Sequence, residues 1–141
     1  MDELSGPALR KVDSHTAIHE AALQEAAELT NVLHNLLLEG DKERALETAY
    51  ILVEHWETRT LAHADAEEAG LYQEIAGDSP ELRDRIVALT RDHELLRQLL
   101  KDAKDKLDGE GAGAEALRRF QALILVDELH NKEEMDVLPD H

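Results

Sequence analysis

The chain of 141 residues has no cysteine, and it has little proline, glycine or aromatic character, with three Pro, seven Gly, one Trp, two Tyr and one Phe. Without cysteine there can be no disulfide framework, no thiolate metal site and no cysteine nucleophile. No stretch approaches the roughly 20 apolar residues of a membrane span, and the N-terminus lacks the apolar run of a signal peptide. We therefore expect a cytoplasmic protein that holds any metal through histidine and carboxylate.

The charge is strongly one-sided, since 15 Lys and Arg stand against 32 Asp and Glu and give a net charge of −17. Such a surface repels phosphate backbones and anionic membranes, so neither nucleic acid nor membrane is an expected partner. Cations are favoured instead, and the eight histidines become the residues of interest. Nothing in the sequence indicates an oligomeric state.

We predict one domain, residues 1–141, because domains commonly hold roughly 100–150 residues. Capping and breaking residues divide this domain into helices. Gly40 and Asp41 read as a helix stop followed by an N-cap, and Pro80 suits a first helical position. Gly70 weakens the second helix, and Pro139 must stop the last. The predicted helices cover about residues 14–39, 42–76, 80–107 and 114–136.

Apolar residues recur at helical spacing along these segments. The third helix carries Leu82, Ile86, Leu89, His93, Leu96, Leu100, Ala103 and Leu107, and the fourth is marked by Leu117, Phe120, Leu123, Ile124 and Leu129. Short connections between amphipathic helices favour neighbours that run in opposite directions. We therefore predict an all-α protein, an antiparallel up-down-up-down four-helix bundle.

A histidine interrupts each apolar stripe, and on two helices a glutamate follows it by four residues, on the same helix face. The interrupting residues are His15 or His19 on helix 1, His63 and Glu67 on helix 2, His93 on helix 3, and His130 and Glu134 on helix 4. One such pair alone would more often be a surface pair. Four imidazoles and two carboxylates in matching positions are sufficient for two metal ions.

Imidazole and carboxylate ligands suit iron, manganese and zinc, and carboxylates can bridge a metal pair. An unpaired buried carboxylate costs several kcal/mol, a large part of a stability of about 5–15 kcal/mol. A bound cation removes that conflict, so the pattern predicts a metal centre inside the bundle.

Four segments resemble the hemerythrin or HHE cation-binding family over nearly the whole chain. They are Ile18 to Glu20, His63 to Tyr72, Asp92 to Leu96, and His130 to Pro139. The resemblance implies that His63 is a terminal iron ligand, Glu67 a bridge and His93 a ligand. It also implies that His130 binds with an acidic partner and that His19 completes the set, with His15, one turn earlier, as the alternative.

The chain departs from that family at two points. Oxygen-carrying hemerythrins have a second His on helix 3 where this chain has Arg97, which leaves one iron less nitrogen-rich or more open. On helix 4 the family spaces its His and Glu-Glu pair one residue wider. Helix geometry from His130 therefore favours Glu134, whereas alignment from Pro139 favours Glu133.

By resemblance, the cofactor is two iron ions (Fe2+/Fe3+) that an oxo or hydroxo group can bridge. The expected partner is dioxygen or a similar small ligand at an open iron position, with binding, sensing, or reaction with peroxide or nitric oxide as outcomes. Whether there is enzymatic turnover stays open. The alternative is an iron-handling or structural metal-binding module without turnover.

Overall fold

The computed structural model describes residues 7–138, with side chains from Ala17 onward, and all of its regular structure is helical. The all-α prediction is confirmed. The elements are α1 (Pro7–Glu39), α2 (Lys42–His55), a π-helical turn (Trp56–Leu61), α3 (Ala62–Ala69), α4 (Leu71–Asp78), a 3-10 turn (Pro80–Leu82), α5 (Arg83–Glu110) and α6 (Ala114–Val137). Pro139 lies outside the described residues. None of the described helices combines the length and apolar content that a bilayer span requires.

The helix boundaries follow local chemistry, with two departures from prediction. Gly40 has a φ of 78°, and the side chain of Asp41 caps α2 by accepting from the backbone N–H of Arg44 at 3.2 Å. The first helix begins at Pro7 rather than near residue 14, since proline is well suited to a first turn. The third extends to Glu110, beyond the predicted 107.

The predicted second helix, residues 42–76, is helical throughout except at Gly70 and is divided into α2, a π-helical turn, α3 and α4. Ala62 N–H bonds to Glu57 O, the wider pattern of a π turn, and at Gly70 the backbone leaves helical geometry with φ −126° and ψ −84°. The segment between these two irregularities is α3, which carries His63 and Glu67.

Two apolar clusters form the core. The larger surrounds Trp56, Leu52 and Phe120, and the smaller surrounds Tyr72 and Leu89. Helix α5 packs on α6, and α1 packs on both α2 and α6. On α5, His93 lies between the residues of the two clusters. On α6, the buried polar residues Asp127, His130 and Glu134 also lie between them, so a polar layer separates the two apolar clusters.

Candidate metal centre

The six residues singled out by the interrupted stripes meet in this polar layer. Glu67, His93, His130 and Glu134 each offer one ligand atom within 4.8 Å of the others, and His19, His63 and Glu67 form a second such group. The first four are 2–4% exposed. Because Glu67 belongs to both groups, they share a carboxylate and lie side by side.

Glu67 faces both groups with different oxygens. Its Oε1 lies 3.3 Å from His93 Nε2, and its Oε2 lies 3.6 Å from His19 Nε2. A carboxylate with one oxygen toward each of two nitrogen-rich positions has the disposition that bridging two cations requires.

His93 and His130 point their Nε2 atoms at each other at 3.2 Å. The Nδ1 atom of His93 lies 2.7 Å from Glu68, and that of His130 lies 2.9 Å from Asp92. Ionised carboxylates only accept hydrogen bonds, so both Nδ1 atoms carry the proton. The two Nε2 lone pairs then face each other, and they repel unless a metal ion or a proton lies between them.

His19 is the histidine that α1 contributes to the cluster. Its Nδ1 donates to Asn131 Oδ1 at 2.8 Å, and its ring centre lies 4.9 Å from that of His63. The side chain of His15 lies outside the described residues.

Glu134, four residues after His130, faces the cluster, and Glu133 faces away. Glu134 Oε2 lies 3.3 Å from His130 Nε2, and its Oε1 lies 3.3 Å from His19 Nδ1. Glu133 instead accepts from Arg85 at 2.7 Å, with its side chain 42% exposed. The side chain that faces the cluster is therefore the one that helix geometry from His130 favours, and the one that alignment from Pro139 favours faces away from it.

Arg97 takes part through Glu68 rather than directly. It donates to Glu68 at 2.8 Å and to Asp65 at 2.7 Å. Burial opposes its charge, but the hydrogen bonds to Glu68 and Asp65 outweigh burial and raise the pKa of Arg97 above its ordinary value. The arginine therefore holds the carboxylate that orients His93.

Sequence reasoning assigned no role to Tyr72, whose hydroxyl lies at the centre of the cluster. It donates to Glu134 and lies 3.4 Å from His93 Nε2 and 3.5 Å from His130 Nε2. Burial, followed by the charges of Glu134 and Glu67, raises the pKa of Tyr72 far above its ordinary value. Tyr72 lies five residues after Glu67, beyond the break at Gly70, so its hydroxyl reaches the cluster from the first turn of α4.

Asp127 was missed as well, because an aspartate among apolar residues gives no signal without a partner in sequence. It is 3% exposed, and burial raises its pKa to about 6 against the opposing effect of His130 and His19. Leu129, taken as a marker of the apolar stripe, is 66% exposed instead. The buried face of α6 here follows the spacing of Asp127, His130 and Glu134.

The donor set fits a metal pair. It consists of buried or partly buried imidazoles, three of which have one nitrogen fixed by an acceptor, together with two carboxylates that each approach two histidines. This is the usual surrounding of metal-ligating histidines. Metal-free, the cluster holds a proton instead: burial disfavours charge on His130, but Glu134 and Asp92 outweigh it and raise its pKa to about 9.

Comparison with known proteins agrees with this chemistry. Residues 10–139 match the family model described as the hemerythrin HHE cation binding domain. No curated protein and no solved structure matches the chain.

Proposed function

Because the chain belongs to the hemerythrin HHE cation-binding family, we propose that its buried histidine and glutamate cluster binds two iron ions. The observation that carries this proposal is the pair of facing Nε2 atoms, 3.2 Å apart, on imidazoles whose Nδ1 protons are held by carboxylates. We also propose that the helices run up-down-up-down in an antiparallel bundle, which lets four segments contribute at one level.

Each group of residues would hold one ion. Glu67, His93, His130 and Glu134 surround one position, while His19, His63 and the shared Glu67 surround the other. Among the residues that the structure describes, the second position has fewer protein donors and is the more open of the two. Such an iron pair, when bound, supplies electrons to dioxygen or to a related small oxidant such as peroxide or nitric oxide.

The chain's own residues would prepare the centre for that ligand. Glu68 and Asp92 fix the orientation of His93 and His130. Tyr72 holds Glu134 through its hydroxyl proton. The apolar clusters lie on either side of the polar layer and keep most of its side chains away from bulk water. The proposed function is therefore the binding, sensing or reduction of a small oxidant.

Elemental analysis of the purified protein tests the metal assignment. We expect two irons per chain, and we expect fewer in His63→Ala and Glu134→Ala. The matched control is Glu133→Ala, because that residue pairs with Arg85 away from the cluster. His141→Ala should also keep both irons. Full iron content in both cluster variants contradicts the proposal.

A second experiment separates oxidant chemistry from an iron-handling or structural module without turnover. The protein is reduced anaerobically and then exposed to air while the visible spectrum is recorded. A reversible spectral change supports ligand binding, and consumption of added peroxide supports catalysis. A spectrum that responds to neither favours the module without turnover.

A further inference from the structure

A groove of about 460 Å³ lies on the surface where α1 meets α6. Three large apolar side chains of α6, Leu125, Leu129 and Met135, line this groove and are 51–66% exposed. The other lining residues are Glu20, Leu23, Glu128, Asn131 and Lys132. Exposed apolar surface with a polar rim is typical of a protein interaction site. The groove is therefore a candidate docking surface, and its charges indicate the kind of partner.

The face that α6 presents in this groove is symmetric about the level of His130. Leu125 and Met135 lie five residues before and after His130, and the charged pair Glu128 and Lys132 lies two residues before and after it. At about 100° per residue, all four lie within about 40° of the direction opposite His130. Two copies of α6 that pack antiparallel about a two-fold axis at this level bring Leu125 near Met135 of the second copy. The same arrangement brings Glu128 near Lys132 of the second copy, and each contact occurs twice.

The two charges at the centre of this face are not used within the described part of the chain. Glu128 and Lys132 are both exposed, and they are four residues apart in the order that favours an ion pair along a helix. Glu115 and Arg119, with the same order and spacing on α6, do pair at 2.7 Å. Neither Glu128 nor Lys132 forms an ion pair with another described residue. Both charges are therefore available to a second molecule.

The charge of the whole chain and the charges of this face act in opposite directions. The net charge of −17 opposes the approach of two copies. At physiological ionic strength, however, repulsion between exposed charges is largely screened beyond about 8 Å, and ion pairs covered by an interface are screened much less. Two α6 helices packed in parallel would place Glu128 against Glu128, whereas antiparallel packing places it against Lys132. The local charges therefore favour a second copy of the chain in the antiparallel direction.

We propose that this groove is an interface between two copies of the chain, in which α6 packs antiparallel on α6 of the second copy. The apolar side chains supply the buried surface, and the reciprocal pairs between Glu128 and Lys132 fix the direction. Asn131, which lines the groove, also holds the ring of His19, so the second copy covers the surface beside the metal cluster. The inference does not depend on the metal assignment, because it uses only residues on the outer face.

Sedimentation velocity of the full chain tests whether the interface forms. We expect a dimer for the parent and a monomer for Leu129→Glu at the same concentration, because the substitution places a charge in the apolar part of the contact. The matched control is Val87→Glu, which changes a residue of similar exposure, 67%, on α5, and it should stay dimeric. Far-ultraviolet circular dichroism checks that each variant is folded. A monomeric parent, or a dimer that persists in Leu129→Glu, overturns the proposal.

Charge reversal tests the antiparallel direction. Glu128→Lys alone and Lys132→Glu alone each place like charges across the axis twice, so the dissociation constant of each variant's dimer should rise by about tenfold or more. In an equimolar mixture the two variants present unlike charges to each other, and the mixed dimer should recover the affinity of the parent. Glu115→Lys, on α6 but outside the groove, should leave the dissociation constant unchanged. Single variants that dimerise as the parent does, or a mixture that recovers nothing, refute the antiparallel interface.

Discussion

Removing the metal should destabilise the fold, and Glu67→Gln should abolish that dependence. Glu67 is the carboxylate shared by both ligand groups, and its side chain is 3% exposed. Gln keeps its shape but loses the negative charge that two cations require. The variant should therefore fold, and its stability should no longer respond to metal.

The magnitude follows from linkage. A ligand present at one hundred times its dissociation constant stabilises the folded state by about 2.7 kcal/mol. For a chain of 141 residues, the unfolding entropy is about 0.3 kcal/mol/K. Each iron bound at that excess should raise the midpoint of thermal unfolding by about 9 °C, so two should raise it by about 18 °C.

Differential scanning calorimetry with and without chelator measures the difference. We expect the full shift in the parent and in Glu133→Gln, the surface control, and a shift near zero in Glu67→Gln. A parent whose midpoint ignores chelation would show that the buried carboxylates are stabilised by other means. A Glu67→Gln variant that keeps the full shift would remove this residue from the site.

Two further predictions follow from the shifted pKa values. His130 has a pKa raised to about 9, so it is protonated at neutral pH and must lose that proton to bind a cation. Metal binding should therefore release protons. Below that pKa, the metal affinity should rise by about tenfold for each unit of pH. Calorimetry in buffers of different ionisation enthalpy detects the release, and no buffer dependence would contradict it. Burial raises the pKa of Asp127 from 3.8 to about 6 in the folded protein. Its ionisation therefore lowers the free energy of unfolding as pH rises from about 4 to about 6, and the full effect is present above about pH 6. Asp127→Asn should then stabilise the metal-free protein by up to about 3 kcal/mol at about pH 7.5 and very little at about pH 4; equal urea-denaturation gains at both pH values would refute this.

Local rules predicted much of the fold. Gly40 and Asp41 end one helix and cap the next by chemistry confined to a few residues. The π turn at Trp56–Leu61 could not be predicted from local sequence, because its residues pack in the larger apolar cluster against residues distant in sequence. On α6, hydrophobicity alone favours Leu129 over Asp127 as the buried residue, and the structure has the reverse.

The candidate site was predictable where its residues recur on one helix face. The four-residue steps from His63 to Glu67 and from His130 to Glu134 each bring both members to the cluster. Contacts between helices could not be predicted from the sequence in the same way. Arg97 has the sequence pattern of a surface charge, and only the structure shows that Glu68 lies between it and His93.

The orienting groups nevertheless follow a rule that a sequence can reveal. Each is the chain neighbour of one cluster residue and fixes the imidazole of another helix. They are Glu68 beside Glu67, holding His93; Asp92 beside His93, holding His130; and Asn131 beside His130, holding His19. Adjacent residues in a helix are about 100° apart, so when one points into the bundle the next can reach a neighbouring helix. Helices α3, α5 and α6 thus each supply a cluster residue and also fix a ring that another helix supplies. A change at any of these neighbours should disturb metal affinity through a helix other than its own.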